Sequence, residues 1–363
     1  MIYTEENCLL DQFILHLDPN NNADIVYSVD VQKNVPIYDC TIIRDQIPDA
    51  KYKQNLMAEW AAVLSTGAGV FVLKQAFADT TQIDQATEVF QGIIAQERGT
   101  MGGEDHFAKS GANDRIWNAL EKLCLQAPDV FAHYYANDMI ALAAESWLGP
   151  AYQVTSQINV VRPGGSAQQP HCDYHLGFLT ADSASHYPPH VHQLSQSLTL
   201  QGGVAHCDMS VASGPTKLLP FSQNYPSGYL AWRREDFKQY FENHYIQLPL
   251  AKGDAVFFNP ALFHAAGANS TKDVVRMVNL LQISSAFGRA METIDREKMG
   301  AILLPVLFDA LNTGQLSEAE IINVIAASAE GYPFPTNLDT NPPVNGLAPL
   351  SQQQKLKQAL KLG

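Results

Sequence analysis

The chain has 363 residues, 46% of them hydrophobic, and a formal net charge of −14. That is enough apolar material for a sizeable core, and the negative charge opposes binding to nucleic acid or anionic membrane, both polyanions held mainly by Lys and Arg. A small-molecule substrate is the expected partner, and nothing in the sequence sets an oligomeric state.

The apolar runs, such as 70–73 and 301–308, fall far short of a membrane span. The N-terminal MIYTEEN lacks the charged and apolar regions of a signal peptide. Five cysteines, odd in number and without a CxxC pair, suggest neither a disulfide framework nor a zinc site. The sequence therefore reads as that of a cytosolic protein.

Residues 1–50 show no clear period and carry a turn signal at Pro19-Asn20-Asn21-Asn22, so they are expected to wrap the core as an extension. Leu56, Met57, Trp60, Ala61 and Leu64 then recur at helical spacing, and 69–73 reads as a buried strand. Asp79 or Thr80 is placed to cap a second helix with Ile83, Ala86, Phe90 and Ile93 on one face. Residues 113–148 look mostly helical.

From about 152 the pattern changes to short β-rich runs separated by turn residues: 152–162, 197–207, 216–220, 246–250, 255–259 and 274–284. This is the signature of an antiparallel sandwich or jelly roll. Helical spacing returns after 290, with Ser317 and Glu320 forming a capping box ahead of Ile321, Ile322, Val324 and Ile325. A Pro-rich stretch over 332–349 leads to a short amphipathic end. The expected division is 1–50, 51–290 and 291–363, as one decorated domain without repeats or long linkers.

The tripeptide His-Cys-Asp occurs at 171–173 and again at 206–208. A His and an Asp two residues apart on a strand share a face and can offer two metal ligands side by side. A third ligand from a distant strand would complete a 2-His-1-carboxylate set, which leaves one face of an iron ion open. His264, in KGDAVFFNPALFHAAGAN, is the candidate. Arg276 follows twelve residues later at the head of a strand expected to pair with that of His264, and its planar guanidinium suits two-point contact with a carboxylate. Spacing alone leaves both His-Cys-Asp copies open.

From about Gly67 to Ser285 the chain resembles the phytanoyl-CoA dioxygenase-like branch of the iron(II)- and 2-oxoglutarate-dependent oxygenases. The resemblance rests on GAGVFVLKQAF, RPGGSAQQPHCDYHLGF, SGPTKLLPFSQN and KGDAVFFNPALFHAAGAN, in the family's order, followed by Arg276. It implies a mainly β core with α additions: a double-stranded β-helix (jelly roll, cupin-like) flanked by N- and C-terminal helices. It also implies Fe(II) held by His171, Asp173 and His264, with dioxygen and 2-oxoglutarate as co-substrates and Arg276 gripping the far carboxylate of the latter. The copy at 206–208 falls where the family usually has a non-ligand acidic pair, and Asp208 is then expected to orient a backbone or substrate group. Strand counting agrees, since there is room for four strands between His171 and His264, whereas His206 ends one of them.

The outcome the resemblance implies is hydroxylation, with 2-oxoglutarate decarboxylated to succinate. Related halogenases have a small residue in place of the carboxylate, so Asp173 argues against halogenation. Gln157 or Asn159, two apart on the preceding strand, is a candidate hydrogen-bond partner for 2-oxoglutarate, with ordinary sheet amides as the plain alternative. Tyr174, His175 and Phe178 follow the ligands, and His186, His190 and His192 fall in SHYPPHVHQLSQS, read as a loop forming a rim or lid. Of these, Tyr174, His175, Phe178 and His190 are candidate substrate contacts.

His16, His106, His133 and His244 stand alone and receive no role. Arg233, Arg234 and Lys238 make one basic cluster on an expected helix, either a solvated face or a contact for a substrate phosphate. Two other readings of the whole chain are a cupin-type metalloenzyme that does not use 2-oxoglutarate and a jelly-roll binding protein without catalysis. Arg276 argues against the first, and the complete ligand set argues against the second.

Overall fold

The computed structural model describes residues 3–19, 24–97, 113–344 and 346–362; the turn expected at Asn20–Asn22 and His106 lie outside them. The strands among the described residues are β1 (Asp30–Gln32), β2 (Val35–Asp39), β3 (Val70–Lys74), β4 (Asn113–Ile116), β5 (Gln153–Val161), β6 (Thr199–Ala205), β7 (Lys217–Leu218), β8 (Ala255–Phe258), β9 (His264–Ala265) and β10 (Arg276–Ser284). Eight form a sheet in the order β1-β2-β3-β8-β6-β10-β5-β4, while β7 and β9 form a second, smaller one. Only β2 and β3 run parallel. This is a double-stranded β-helix with helices added before and after it.

The large sheet has two chemically different faces, set by side-chain alternation. Along β10, Met277, Leu281 and Ile283 join Phe71, Leu73, Ile158, Leu200, Val204 and Phe257 in the main core. Helices over Ala50–Ser65, Thr81–Glu97, Ala119–Gln126, Pro128–Tyr135 and Asp138–Leu148 cover that face, with Arg296–Thr313 and Glu318–Ser328 packed beside them. The alternate positions Arg276, Val278, Leu280 and Gln282 face a cavity. One face of the sheet thus stabilises the fold and the other carries chemistry.

The expected helix signals act as such: Asp79 accepts from Thr81 N ahead of its helix, and the Ser317–Glu320 capping box has both of its bonds. A further cap, not foreseen, is Asp49, which accepts from the amides of Lys51 and Tyr52 at the start of Ala50–Ser65. Leu56, Trp60 and Leu64 are buried, as are Ile83, Ala86, Phe90 and Ile93.

Residues 113–148 are mostly helical as expected, after opening with a short strand, β4. Several other expectations need correction. Residues 246–250 make single bridges, Leu218 to Ile246 and Met209 to Leu250, because the two-residue β7 offers too short an edge for a ladder. SHYPPHVHQLSQS is no open loop: helices span Ala181–Ser185 and Pro189–Ser197, and Pro189 occupies the first helical turn, where its missing N–H costs nothing. Finally, β10 lies between β5 and β6, away from the His264 strand, which pairs with β7.

Candidate metal centre

The two sheets face each other across a cavity of about 560 Å³. Its floor is the polar face of the large sheet, assembled in cross-strand rows. Arg115, Asn159 and Val278 make one row, Gln157, Leu280, Gly203, Val256 and Val72 a second, and Gln282, Gln201 and Phe258 a third. The opposite wall carries His264 on β9 and Leu218 on β7, with the segment that bears His171 beside them.

His171 and His264 form an isolated antiparallel bridge, exchanging N–H···O=C bonds of 2.9 and 3.1 Å. Asp173 lies just past it, and its amide donates to Pro260 O at 3.0 Å. The expectation that His171 and Asp173 share one regular strand is therefore corrected, because a backbone tether to the 259–264 turn aims the carboxylate instead. The ligand atoms offered by His171, Asp173 and His264 all lie within 4.8 Å of one another. His171 Nε2 is 3.8 Å from Asp173 Oδ1, and His264 Nε2 is 3.5 Å from Asp173 Oδ2.

Each imidazole has its Nδ1 against a backbone carbonyl two residues back, Gln169 O at 2.9 Å for His171 and Leu262 O at 2.8 Å for His264. A carbonyl only accepts, so Nδ1 carries the proton and Nε2 keeps its lone pair for a metal. Burial, with the neighbouring His264 ring, holds His171 below the ordinary histidine value and so neutral. Burial works to raise the Asp173 carboxyl, but the positive charge that an imidazole carries whenever it is protonated, together with the donating Gln201 amide, outweighs it and holds the carboxyl well below the usual carboxylate range; a cation at Nε2 would supply that same charge. Two neutral imidazoles and one carboxylate fit Fe(II) with positions left for other ligands.

Arg276 is 3% exposed. It donates to Gly214 O, to Gly267 O at 3.5 Å and to Asn159 Oδ1 at 2.9 Å, while its Nε has no partner. None of the ion pairs among the described residues includes it, and burial pushes its pKa down to about 10, so it remains charged at neutral pH. A buried cation without an anion is costly, and its place on the cavity floor suits an anionic ligand such as the far carboxylate of 2-oxoglutarate.

The remaining candidates divide. Gln157, Asn159 and Phe178 line the cavity, whereas Tyr174, His175 and His190 do not. Gln157 donates to Glu292 Oε1 at 3.3 Å, and Asn159 is a partner of Arg276. Tyr174 is buried behind the ligand turn, and His190 is exposed on its helix. Sequence reasoning missed Gln201, Gln282, Arg115 and Trp117, all of which line the cavity. For Gln201 the only trace is a lone amide among small and apolar residues, and Gln282 has not even that, since its strand also holds Arg276 and Asn279.

In the basic cluster Lys238 stands 3.9 Å from the exposed Glu235 on the helix face, while both arginines are engaged by the protein. Arg233 donates to the carbonyls of Gly177, Leu179 and Tyr229, and Arg234 pairs with Asp236 while donating to Glu5 O and Cys8 O. These arginines fasten the Phe178 turn and the N-terminal segment to the core.

The second His-Cys-Asp copy is fully used elsewhere. Thr87 Oγ1 donates to Ile83 O at 2.7 Å, so it accepts from His206 Nδ1 at 2.8 Å. His206 Nε2 in turn accepts from Tyr134 OH at 2.9 Å, and Tyr134 accepts from Asn279 at 3.1 Å. Asp208 takes the Lys252 amide at 2.9 Å, the backbone role expected for it. With both nitrogens engaged, burial pushes His206 down to about 3.

A histidine lowered on folding stabilises fully above its unfolded value near 6.5, and that contribution is lost as pH falls towards 3. The limiting slope is about 1.4 kcal/mol per pH unit. In urea unfolding at pH 7.5 and 5, wild type is expected to lose more stability on acidification than His206→Gln. Equal losses would show that the imidazole is not held neutral.

A family model described as Phytanoyl-CoA dioxygenase (PhyH) matches residues 52–278. No curated protein matches the sequence. Among solved structures, the chain is similar to the non-heme alpha ketoglutarate dependent carbocyclase SnoK from nogalamycin biosynthesis, at 18% identity and TM-score 0.46, over 69% of this chain and 87% of that one. The epimerase SnoN from the same biosynthesis gives 18% and 0.43, over 66% and 84%. HygX from Streptomyces hygroscopicus, solved with nickel and 2-oxoglutarate bound, gives 14% and 0.42, over 63% and 87%.

Proposed function

This chain belongs to the phytanoyl-CoA dioxygenase family and is a non-haem iron- and 2-oxoglutarate-dependent oxygenase, and from that premise we propose that it hydroxylates a C–H bond of a small organic molecule. His171, Asp173 and His264 are the iron ligands in this proposal, and Arg276 binds the far carboxylate of 2-oxoglutarate. Bound there, metal and co-substrate supply the oxidising chemistry: one atom of dioxygen enters the substrate as hydroxyl, the other enters succinate, and carbon dioxide leaves.

The chain's own residues do the rest. Backbone carbonyls fix both imidazoles with Nε2 unprotonated, Asp173 supplies the negative charge, and Asn159 steadies the guanidinium. Apolar walls from Val72, Met209, Leu248, Leu250 and Trp232 exclude water and fit a substrate with an apolar body, with Phe178 half exposed among the lining residues. The observation that carries the reading is Arg276, a buried cation without a protein anion, because a cupin-type enzyme without 2-oxoglutarate has no use for it. No helix among the described residues is long and apolar enough to cross a membrane, and five unbridged cysteines support a reducing, cytosolic setting.

Anaerobic addition of Fe(II) and 2-oxoglutarate to the apoprotein is the test. A visible charge-transfer band that requires both additions is expected, followed in air by succinate formation. Iron binding without any band on adding 2-oxoglutarate would favour the cupin-type reading.

A further inference from the structure

A carboxylate that binds a metal through both oxygens takes two positions, one of which an oxygenase of this kind needs for its co-substrates. In Asp173 both oxygens lie near the imidazoles, Oδ1 3.8 Å from His171 Nε2 and Oδ2 3.5 Å from His264 Nε2. Position alone therefore does not select one of them. Oδ2, however, already has a donor, Gln201 Nε2.

Gln201 sits on β6, 5% exposed, between Phe258 on one neighbouring strand and Gln282 on the other. Its orientation follows from chemistry, because an amide oxygen turned to a carboxylate would repel it and only the NH2 group attracts. The Asp173 main chain is tied separately to Pro260, so the side chain is held from two sides. Gln201 Oε1 and Gln282 Oε1 are both buried without partners, so neither amide is fully engaged by the protein.

We propose that Gln201 is a positioning residue: by occupying Oδ2 it holds Asp173 as a one-oxygen ligand through Oδ1 and keeps three metal positions open. The inference rests on the iron site of the preceding section and concerns a residue that never touches the metal itself.

Gln201→Met keeps length and volume while removing the donor, and Gln201→Asn keeps the donor but withdraws it by one methylene. Both are titrated with Co(II), whose visible spectrum reports coordination number, and anaerobically with Fe(II) and 2-oxoglutarate. Circular dichroism and thermal melting check the fold.

Loss of an outer partner of a metal ligand costs about 10–100-fold in affinity, and that weakening is expected for Met, with a smaller one for Asn. The Co(II) spectrum should also move towards higher coordination and the charge-transfer band should shift. Wild-type metal affinity with an unchanged spectrum in a folded Gln201→Met protein would overturn the proposal; if that variant does not fold, Gln201→Asn decides in the same way. If wild type binds Co(II) but shows no band with 2-oxoglutarate, the oxygenase reading fails while the Co(II) comparison still tests Gln201.

Discussion

Asp173→Ala is expected to weaken Fe(II) binding by more than about 100-fold, beyond what loss of an outer-shell partner costs, and to abolish the charge-transfer band and succinate formation. Asp208→Ala, the same change in the duplicate tripeptide, is expected to leave all three intact. The contrast lies in what surrounds each carboxylate. Asp173 faces two imidazoles whose Nε2 atoms are free, its amide is tethered to Pro260, and its pKa is held down so that it stays ionised. Asp208 accepts one backbone amide, and its neighbour His206 has both nitrogens committed to Thr87 and Tyr134. Two imidazoles without the carboxylate hold a dication weakly, since the site loses a ligand and its only negative charge among the three. The measurement is iron affinity by chelator competition, with the visible spectrum recorded alongside. Equal iron affinity in wild type and Asp173→Ala would remove Asp173 from the ligand set, and a loss in Asp208→Ala would reopen the choice between the copies.

The two copies are identical in sequence, so no local pattern separates them; what separates them is who stands opposite. His171 meets His264 across a bridge spanning 93 residues, and Gln201 meets Asp173 across 28. Contacts of that kind leave no periodic trace. Elements governed by local rules were legible: the expected strand at 152–162 is β5, Gln153–Val161, and the Asp79 and Ser317 caps follow from hydrogen bonds made within three residues. The misreadings have local causes too. Two prolines suggested a loop at 188–189, yet Pro189 opens a helix. The β1–β2 hairpin went unseen because its turn uses Lys33 and Asn34, with φ of 50° and 69°, in place of the glycine that usually marks such turns. Gln201 was overlooked because an amide in a strand has no fixed meaning until its partner is known.

The same dependence on a distant partner makes Arg276 the most informative position for the co-substrate. Arg276→Met is expected to raise the dissociation constant for 2-oxoglutarate by about 10²–10³-fold, since truncating one member of a buried charged pair costs roughly 2–5 kcal/mol and each 1.4 kcal/mol is tenfold. Fe(II) affinity without 2-oxoglutarate should be unchanged, because none of the hydrogen bonds of Arg276 reaches His171, Asp173 or His264. Arg276→Lys restores the charge but not the planar fork, so it should recover only part of the loss. Stability sharpens the test. In the protein alone the guanidinium is buried, its Nε lacks a partner and its pKa is lowered to about 10 by desolvation, a cost that opposes what its hydrogen bonds to Gly214 O, Gly267 O and Asn159 Oδ1 contribute to the fold. Replacing such a cation with an apolar side chain of similar length is expected to leave the melting temperature unchanged or raise it. A structural arginine would behave in the opposite way, with the melting temperature falling and 2-oxoglutarate affinity following only as far as folding is lost. Calorimetric titration of 2-oxoglutarate into the Fe(II) form, beside thermal melting of the metal-free protein, separates the two: weakened binding in a fully stable variant means that the buried charge is there for the ligand.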